Sequence, residues 1–338
     1  MKPIAVVILN WNGVDLLKKY LPSVTKHSRD LADVYIIDNG STDNSEVEVG
    51  RLFPEVQWIQ LPKNVGFAGG YNEGLKNIPN PWHILLNSDV RVSENWLEPL
   101  LDFATKNPQV KALQPAILDD KAPESYEYAG AAGGYLDALY YPFCRGRILE
   151  KVEEVQDEYK DPTPIFWASG AALMVQKETF YAVGGLDADF FAHMEEIDLC
   201  WRILNEYPNS IYAVPSSTVF HLGGATLNKT NPRKVFLNFR NSLFMILKNH
   251  PHPFMPLAKR MILDGVAGMQ FLLKGNFGFF GAVIKAHLAF YKGRSAMAKK
   301  RLTHFQLPQD VIYPKSILIA FFLKGKKRFQ DLDWPNKN

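Results

Sequence analysis

The sequence predicts an α/β domain with a mostly parallel central sheet, followed by a basic amphipathic helical region. Three observations carry that prediction. Short β-type runs alternate with helix-type segments through the first hundred residues, and connections this short imply parallel strands covered by helices on both faces. Polar clusters fall at the ends of three of the runs, where ligands sit in such sheets. The charge balance also changes sign along the chain: residues 224–338 carry 20 Lys and Arg against 4 Asp and Glu, whereas residues 1–223 carry 18 against 31.

Taken in order, residues 4–9 form an apolar run, followed by a turn at 10–13 and a helical pattern from 14 to about 26. A second strand at 34–37 is closed by Asp38-Asn39-Gly40-Ser41-Thr42-Asp43, whose side chains bond their own backbone. Residues 56–60 read as a third strand, 67–77 as a helix, 82–86 as a fourth strand and 94–106 as another helix. Residues 119–164 are less regular, with Gly, Tyr and acidic patches, and are expected to form loops and short strands on the acceptor side of a site. A strand at 171–175, a helix at 195–206 and two strands at 211–214 and 218–221 follow.

After Pro232 the texture changes to long apolar segments studded with Lys and Arg, at 235–249, 255–274, 277–291 and 316–324; no glutamate occurs after Glu206. None supplies the ~20 nearly charge-free residues of a membrane span. Basic helices bearing Phe and Leu suit the interface of an anionic membrane. The alternative is helices packed on the preceding domain with a solvated basic face. With 338 residues the chain has room for one large domain and an appendage, and the boundary is placed between 231 and 232. Only Cys144 and Cys200 are present, which excludes a disulfide framework and a four-Cys zinc site and fits a reducing cytoplasm. The first residues lack the long apolar core of a secretory signal, so a cytoplasmic location is expected.

Several clusters are able to carry chemistry. Asn87-Ser88-Asp89 follows an apolar strand, where a carboxylate can hold a divalent cation together with phosphates; a lone Asp there is more often a cap or turn former. Asp38 to Asp43 is on local chemistry a turn. Glu195, Glu196 and Asp198 crowd three carboxylates near a helix start, where at least one is pushed toward the pKa of a general base. Arg202, one turn later, is placed to pair with Asp198. His221 ends an apolar run as a metal ligand or a structural histidine. Gly66, Gly69 and Gly70 let backbone approach a phosphate, or simply open a helix. Neither G-x-G-x-x-G nor G-x-x-x-x-G-K-[ST] occurs.

The ordered set Val6-Val7-Ile8-Leu9-Asn10-Trp11-Asn12-Gly13, Ile37 to Asp43, Asn64 to Asn72, Leu85 to Val90, Gly170 to Met174, Glu195 to Arg202 and His221 resembles the family-2 glycosyltransferases. These are inverting enzymes of GT-A fold, and the likeness is greatest to the rhamnosyltransferase-like branch of bacterial cell-surface polysaccharide synthesis. The resemblance covers about two thirds of the chain. It implies that Asp38 bonds the donor's nucleobase and that Leu9, Asn10 and Asn12 line the base and ribose pocket, with Gly66, Gly69, Asn87 and Ser88 also on the nucleotide sugar. Asn87-Ser88-Asp89 takes the place of the D-x-D motif, with Asp89 and His221 holding Mg²⁺ or Mn²⁺. Glu196 occupies the position of the general base, with Glu195 and Asp198 as rivals. A sugar would then move from a nucleotide diphosphate to a saccharide or lipid-linked acceptor at the inner membrane face.

Other readings have less behind them. A sugar nucleotidyltransferase needs a basic, Gly-rich loop after the first strand, and Asn10-Trp11-Asn12-Gly13 has no basic residue. A non-catalytic protein binding nucleotide sugars or lipids is the main alternative. No nucleic-acid module is recognisable, so a nucleic-acid partner is not expected.

Overall fold

Ile4–Asn10 (β1) is buried along nearly its whole length, as a strand covered on both faces must be. The computed structural model describes residues 1–155, 157–223, 231–306 and 308–334. After β1 come α1 (Val14–Ser28), β2 (Ala32–Asp38), α2 (Ser45–Leu52), β3 (Gln57–Gln60), α3 (Gly66–Gly74), β4 (Trp82–Leu86), β5 (Val90–Val92), α4 (Glu98–Lys106) and β6 (Ala112–Asp119). Five short strands follow, β7 (Gly134–Asp137), β8 (Pro142–Cys144), β9 (Arg147–Ile148), β10 (Lys151–Val152) and β11 (Thr163–Pro164). Then come β12 (Ala172–Gln176), α5 (Lys177–Ala182), α6 (Glu195–Glu206) and β13 (Ile211–His221). Helices α7 (Pro232–Asn249), α8 (Phe254–Leu273) and α9 (Phe277–Ala298), strand β14 (Ile312–Tyr313) and helix α10 (Ile317–Phe322) lie beyond residue 231.

The main sheet runs β11-β13-β6-β12-β4-β1-β2-β3, with β5 pairing β13. The pairs β1/β2, β1/β4, β2/β3 and β6/β13 are parallel, and β12 runs antiparallel between β4 and β6. Alternation along β1 divides its side chains between two cores. Ile4, Val6 and Ile8 pack with Leu17 and Leu21 of α1 and Leu100 of α4, whereas Ala5 and Val7 join Tyr71, Leu75 and Trp201 on the other face. On that second face α3 lies close to the sheet through its glycines. A Cβ on Gly70 would stand 2.6 Å from a Leu9 methyl, and one on Gly74 2.2 Å from Ile37.

The α/β architecture with C-terminal helices is the one the sequence predicts, but the main sheet is mixed and not mostly parallel, because β12, β5 and β11 pair antiparallel with their neighbours; the other differences have local causes. Residues 211–221 form one strand, with its register shifted between Val214 and Thr218, where Pro215 has no N–H to give the ladder. The strand β6 escaped notice because Pro115 interrupts it; β12 pairs only with Ala112 and Leu113, so the proline falls beyond that pairing. The irregular middle supplies a second sheet, β10-β9-β8-β7-β14, whose last strand comes from beyond residue 231. Leu243, Met245, Phe290, Tyr313 and Phe329 share the larger core with residues of the first 231.

Candidate active site

Register places the first polar residues. Asn10 is level with Asp38 and Asp38 with Gln60, so three polar side chains meet at the carboxyl ends of β1, β2 and β3. Asp38 is buried and takes four hydrogen bonds: Oδ1 from Asn10 Nδ2 at 2.8 Å and Ser41 Oγ at 2.6 Å, Oδ2 from the Ser41 backbone N–H and Gln60 Nε2, both at 2.8 Å. A carboxylate has about four acceptor positions. Any further donor would have to replace one of these, and Gln60 is the exposed one. Asn12, at φ 51°, bonds the turn opposite: its N–H donates to Ser41 Oγ at 2.8 Å and its Oδ1 accepts from Thr42 N–H at 2.7 Å. Leu9 faces Gly70. Gly66 is at φ 80° with the Phe191 ring above it, while Gly69 meets only Val65 of its own turn. Close helix–sheet packing thus explains Gly70 and Gly74, whereas a Cβ on Gly69 would crowd only Val65, at 3.1 Å.

The second group lies after β4. Asn87 donates its N–H to the Ala171 carbonyl at 3.0 Å, and its Nδ2 lies 3.4 Å from His221 Nε2. His221 stands at the end of β13, level with Val90 and Asp119. Its Nε2 is 3.2 Å from Asp89 Oδ1 and its Nδ1 is 3.4 Å from Glu127 Oε2. Burial alone would lower the pKa of this imidazole, but the two carboxylates outweigh it and push it up to about 10. The pocket field thus favours positive charge at this point. Ser88 lies in the turn between Asn87 and Asp89 and is half-buried. Glu127 was missed by sequence reading; it sits in the irregular middle, and no local pattern marks it.

The third group opens α6. Phe191, His193 and Met194 all have positive φ (66°, 68° and 72°), a costly conformation for residues with side chains. The side chain of Asn241 on α7, fully buried, holds this segment by donating to the carbonyls of Phe190, Ala192 and His193 at 2.9, 2.9 and 2.7 Å. Glu195 and Glu196 follow at once, and each has a buried carboxylate oxygen without a partner among the described residues. Burial raises Glu196 to about 7; burial, then the neighbouring Glu196 charge, raises Glu195 well above the usual carboxylate range. Gly170, the residue before the carbonyl that Asn87 bonds, has its Cβ position 3.9 Å from Glu196 Cβ. Gly170 and Ala171 thus place the Glu196 side chain beside the segment that Asn87 bonds.

Asp198 is differently placed. It is wholly buried and bonded by Arg202 (3.0 and 2.8 Å), Lys248 (2.9 Å) and Asn249 (2.7 Å). Burial would raise its pKa, yet Arg202 and Lys248 hold it below the ordinary value. Both its oxygens are bonded from α6 and α7, so among the described residues only Glu195 and Glu196 of the three candidate bases have a buried oxygen without a partner. Arg202 pairs with Asp198 as its spacing predicts.

Among the described residues no group of three or more His, Cys, Asp or Glu is arranged to hold a metal ion. Asp89 and His221 offer two ligands of the types that Mg²⁺ or Mn²⁺ accepts, and a cation there needs substrate oxygens or water to complete its shell.

Known proteins carry the same fold and order. "Glycosyl transferase family 2" matches residues 5–166, slightly under half of the chain. An N-acetylglucosaminyl-diphospho-decaprenol L-rhamnosyltransferase of Mycobacterium tuberculosis is 26% identical over 230 residues, 64% of this chain and 75% of that protein. The dTDP-rhamnosyl transferase RfbF of Shigella flexneri is 22% identical over 262 residues, 73% of this chain and 81% of its own. Among solved structures, GalNAc-T7 with UDP, GalNAc and Mn²⁺ superimposes with a TM-score of 0.57 at 17% identity; the match covers 75% of this chain and 49% of that one, about half its length. The mannosyltransferase PcManGT of Pyrobaculum calidifontis, in complex with GDP-Man and Mn²⁺, gives 0.51 at 12% identity over 89% and 84% of the two chains. Motif order, sheet topology and these matches agree: the chain has the GT-A fold, its residues 5–166 match glycosyl transferase family 2, and it is similar to bacterial rhamnosyltransferases of that kind.

Proposed function

We propose that the chain is a divalent-cation-dependent, inverting glycosyltransferase that moves a sugar from a nucleotide diphosphate to a saccharide on a lipid carrier, in cell-surface polysaccharide synthesis at the inner membrane face. The observation that carries this reading is the adjacency of Glu196 to Gly170, next to the Ala171 carbonyl that Asn87 bonds. Rhamnose is the first donor sugar to test, given the names of the two bacterial relatives.

In this reading Asp38, Asn10 and Gln60 receive the base end of the donor, and Asp89 and His221 hold the cation. The cation supplies positive charge against the diphosphate. Glu196 accepts the proton of the acceptor hydroxyl as that oxygen forms its bond to the anomeric carbon. The bond from that carbon to the diphosphate breaks on the opposite face, and its electron pair leaves with the nucleoside diphosphate. One displacement inverts the configuration. Burial and the Glu196 charge push the Glu195 carboxyl well above the ordinary range, which favours a single negative charge in the pair when Glu196 ionises. Glu127 orients the His221 ring from behind, as carboxylates do for metal-bound histidines.

Turnover is tested by release of nucleoside diphosphate from dTDP-, UDP- and GDP-sugars with Mg²⁺ or Mn²⁺ and with EDTA. Release from one donor, abolished by EDTA, is expected; no release and no donor binding by calorimetry overturns the reading. The role of Glu127 has its own readout. Glu127→Gln is expected to weaken Mn²⁺ binding in the presence of nucleoside diphosphate by about 10–100-fold, followed by electron paramagnetic resonance. Unchanged affinity assigns Glu127 to folding alone.

A further inference from the structure

We propose that the outward face of the α8–α9 hairpin inserts into the headgroup region of an anionic bilayer, so that the protein docks mainly by apolar contact and only secondarily by charge. The inference deepens the membrane-surface part of the proposed function and rests on it.

The rotation of α8 is fixed by its inner side. Leu257, Arg260, Asp264 and Gly268 are its buried residues, spaced three or four apart. Asp264 has no exposure; it accepts from Arg260 Nε at 3.0 Å and lies 3.3 Å from His287 Nε2 on α9 and 3.5 Å from the Tyr141 hydroxyl. The Arg260 guanidinium in turn stacks 3.6 Å from the Tyr141 ring centre. These polar groups pin the helix to α9 and to the residue that precedes β8. What remains outside is Met255, Ile262, Val266, Met269 and Leu273, all more than half exposed, at intervals of seven, four, three and four. Helix α9 leaves Ile284, Leu288 and Tyr291 outward in the same rhythm. A helix of a water-solvated surface shows the reverse pattern, polar outside and apolar inside.

The charge of the hairpin selects the occupant. Between residues 254 and 300 the only acid is Asp264, and it is buried. Lys259, Lys274, Lys285, Lys292 and Arg294 are exposed. A second copy of this face would bring cations against cations, whereas anionic lipid accepts both the lysines and the apolar stripe. No helix among the described residues is long and apolar enough to cross a membrane, so the hairpin lies in the surface.

The balance between the two contributions follows from where the basic residues went. Lys248 and Lys300 are bonded to Asp187, Arg260 to Asp264, and Arg301 to the carbonyls of Leu247, His250 and Pro251. The surplus of positive charge available to lipid is smaller than the composition implies. One Lys near an anionic surface changes partition by about five-fold, while burial of one large apolar side chain changes it by roughly ten-fold or more.

The test is flotation of the full chain with vesicles of phosphatidylcholine and phosphatidylglycerol, in low salt and in 1 M salt. Wild type is expected to float in both, less in high salt. Ile262→Asp together with Val266→Asp is expected to lower partition by about 100-fold or more in both. These positions are 68% and 63% exposed, so the folded core is untouched, which circular dichroism checks. Flotation of the double variant equal to wild type overturns the proposal. So does a change of oligomeric state by light scattering without a change in flotation, which would assign the face to a second copy. Nucleoside diphosphate release without lipid is measured on the same samples. Normal flotation with no release under any donor sinks the transfer reading and leaves the docking surface; release without flotation does the opposite.

Discussion

Replacing Glu196 by Gln is expected to lower kcat by about 10²–10⁴-fold while leaving donor binding unchanged. The amide keeps the shape of the side chain at the start of α6 but cannot take a proton. Burial lifts the wild-type carboxyl to about 7, so the wild-type rate rises with pH through that value, and the residual rate of the variant is flat there. Stability supplies a second, independent signature. Between the ordinary glutamate value, 4.5, and about 7 the folded protein holds a proton at Glu196 that the unfolded chain has lost. Wild-type stability therefore falls as pH rises across that window, and the Gln variant lacks the part of the fall that Glu196 contributes. At pH 8 the variant is expected to be more stable than wild type by roughly 3 kcal/mol, a difference that disappears below about pH 4.5. Denaturation across pH with activity on the same samples decides the matter. Unchanged turnover transfers the role to Glu195, the other carboxylate with an unpartnered buried oxygen.

Lys248→Met is expected to destabilise the protein by roughly 3–5 kcal/mol, the range for removing one partner of a buried ion pair. Lys248 is nearly inaccessible and stands between Asp187 Oδ2 at 2.8 Å and Asp198 Oδ2 at 2.9 Å. Its loss leaves the carboxylates to Arg202, Asn249 and Lys300, with no cation between them. Burial opposes ionisation of both aspartates; Lys248 and Lys300 nonetheless hold Asp187 at about 2, and Arg202 and Lys248 hold Asp198 below its ordinary value. The network thus contributes stability above the unfolded aspartate value of 3.8, and loses it as pH falls through the folded values. The urea midpoints of wild type and variant should converge below about pH 4 and be furthest apart near neutrality. Adding Asp198→Asn to Lys248→Met should recover part of the loss, because it removes a stranded charge. A Lys248→Met protein as stable as wild type would refute the network's role. The network also matters for the site, since it fastens α7 to α6 behind Glu195 and Glu196.

Much of the catalytic arrangement is legible in the chain because it lies at strand and helix ends with local signatures. The polar clusters after β1, β2 and β4, and the acids that open α6, are each set by a few adjacent residues. Parallel pairing then brings Asn10, Asp38 and Gln60 level without further instruction. The residues that support them carry no such mark. Glu127 reaches His221 from a stretch without regular pattern, and Asn241, a polar residue inside an apolar helix, acts on three carbonyls about fifty positions earlier in the chain.

Composition and order alone determined the α/β class, the motif sequence of the family and the basic character of the last third. Only the tertiary structure decided which acids keep an unpartnered oxygen among the described residues and which cations stay exposed. Asp198 and Glu196 are two positions apart on one helix and chemically alike, but the turn of α6 sends one into Arg202, Lys248 and Asn249 and leaves the other with an unpaired oxygen. The same holds for Arg260 and Lys259, neighbours of one charge, of which the first is buried against Asp264 and the second faces outward. A charge counts the same in a sequence wherever it stands; its energy depends on what surrounds it, and that is fixed only when distant segments pack.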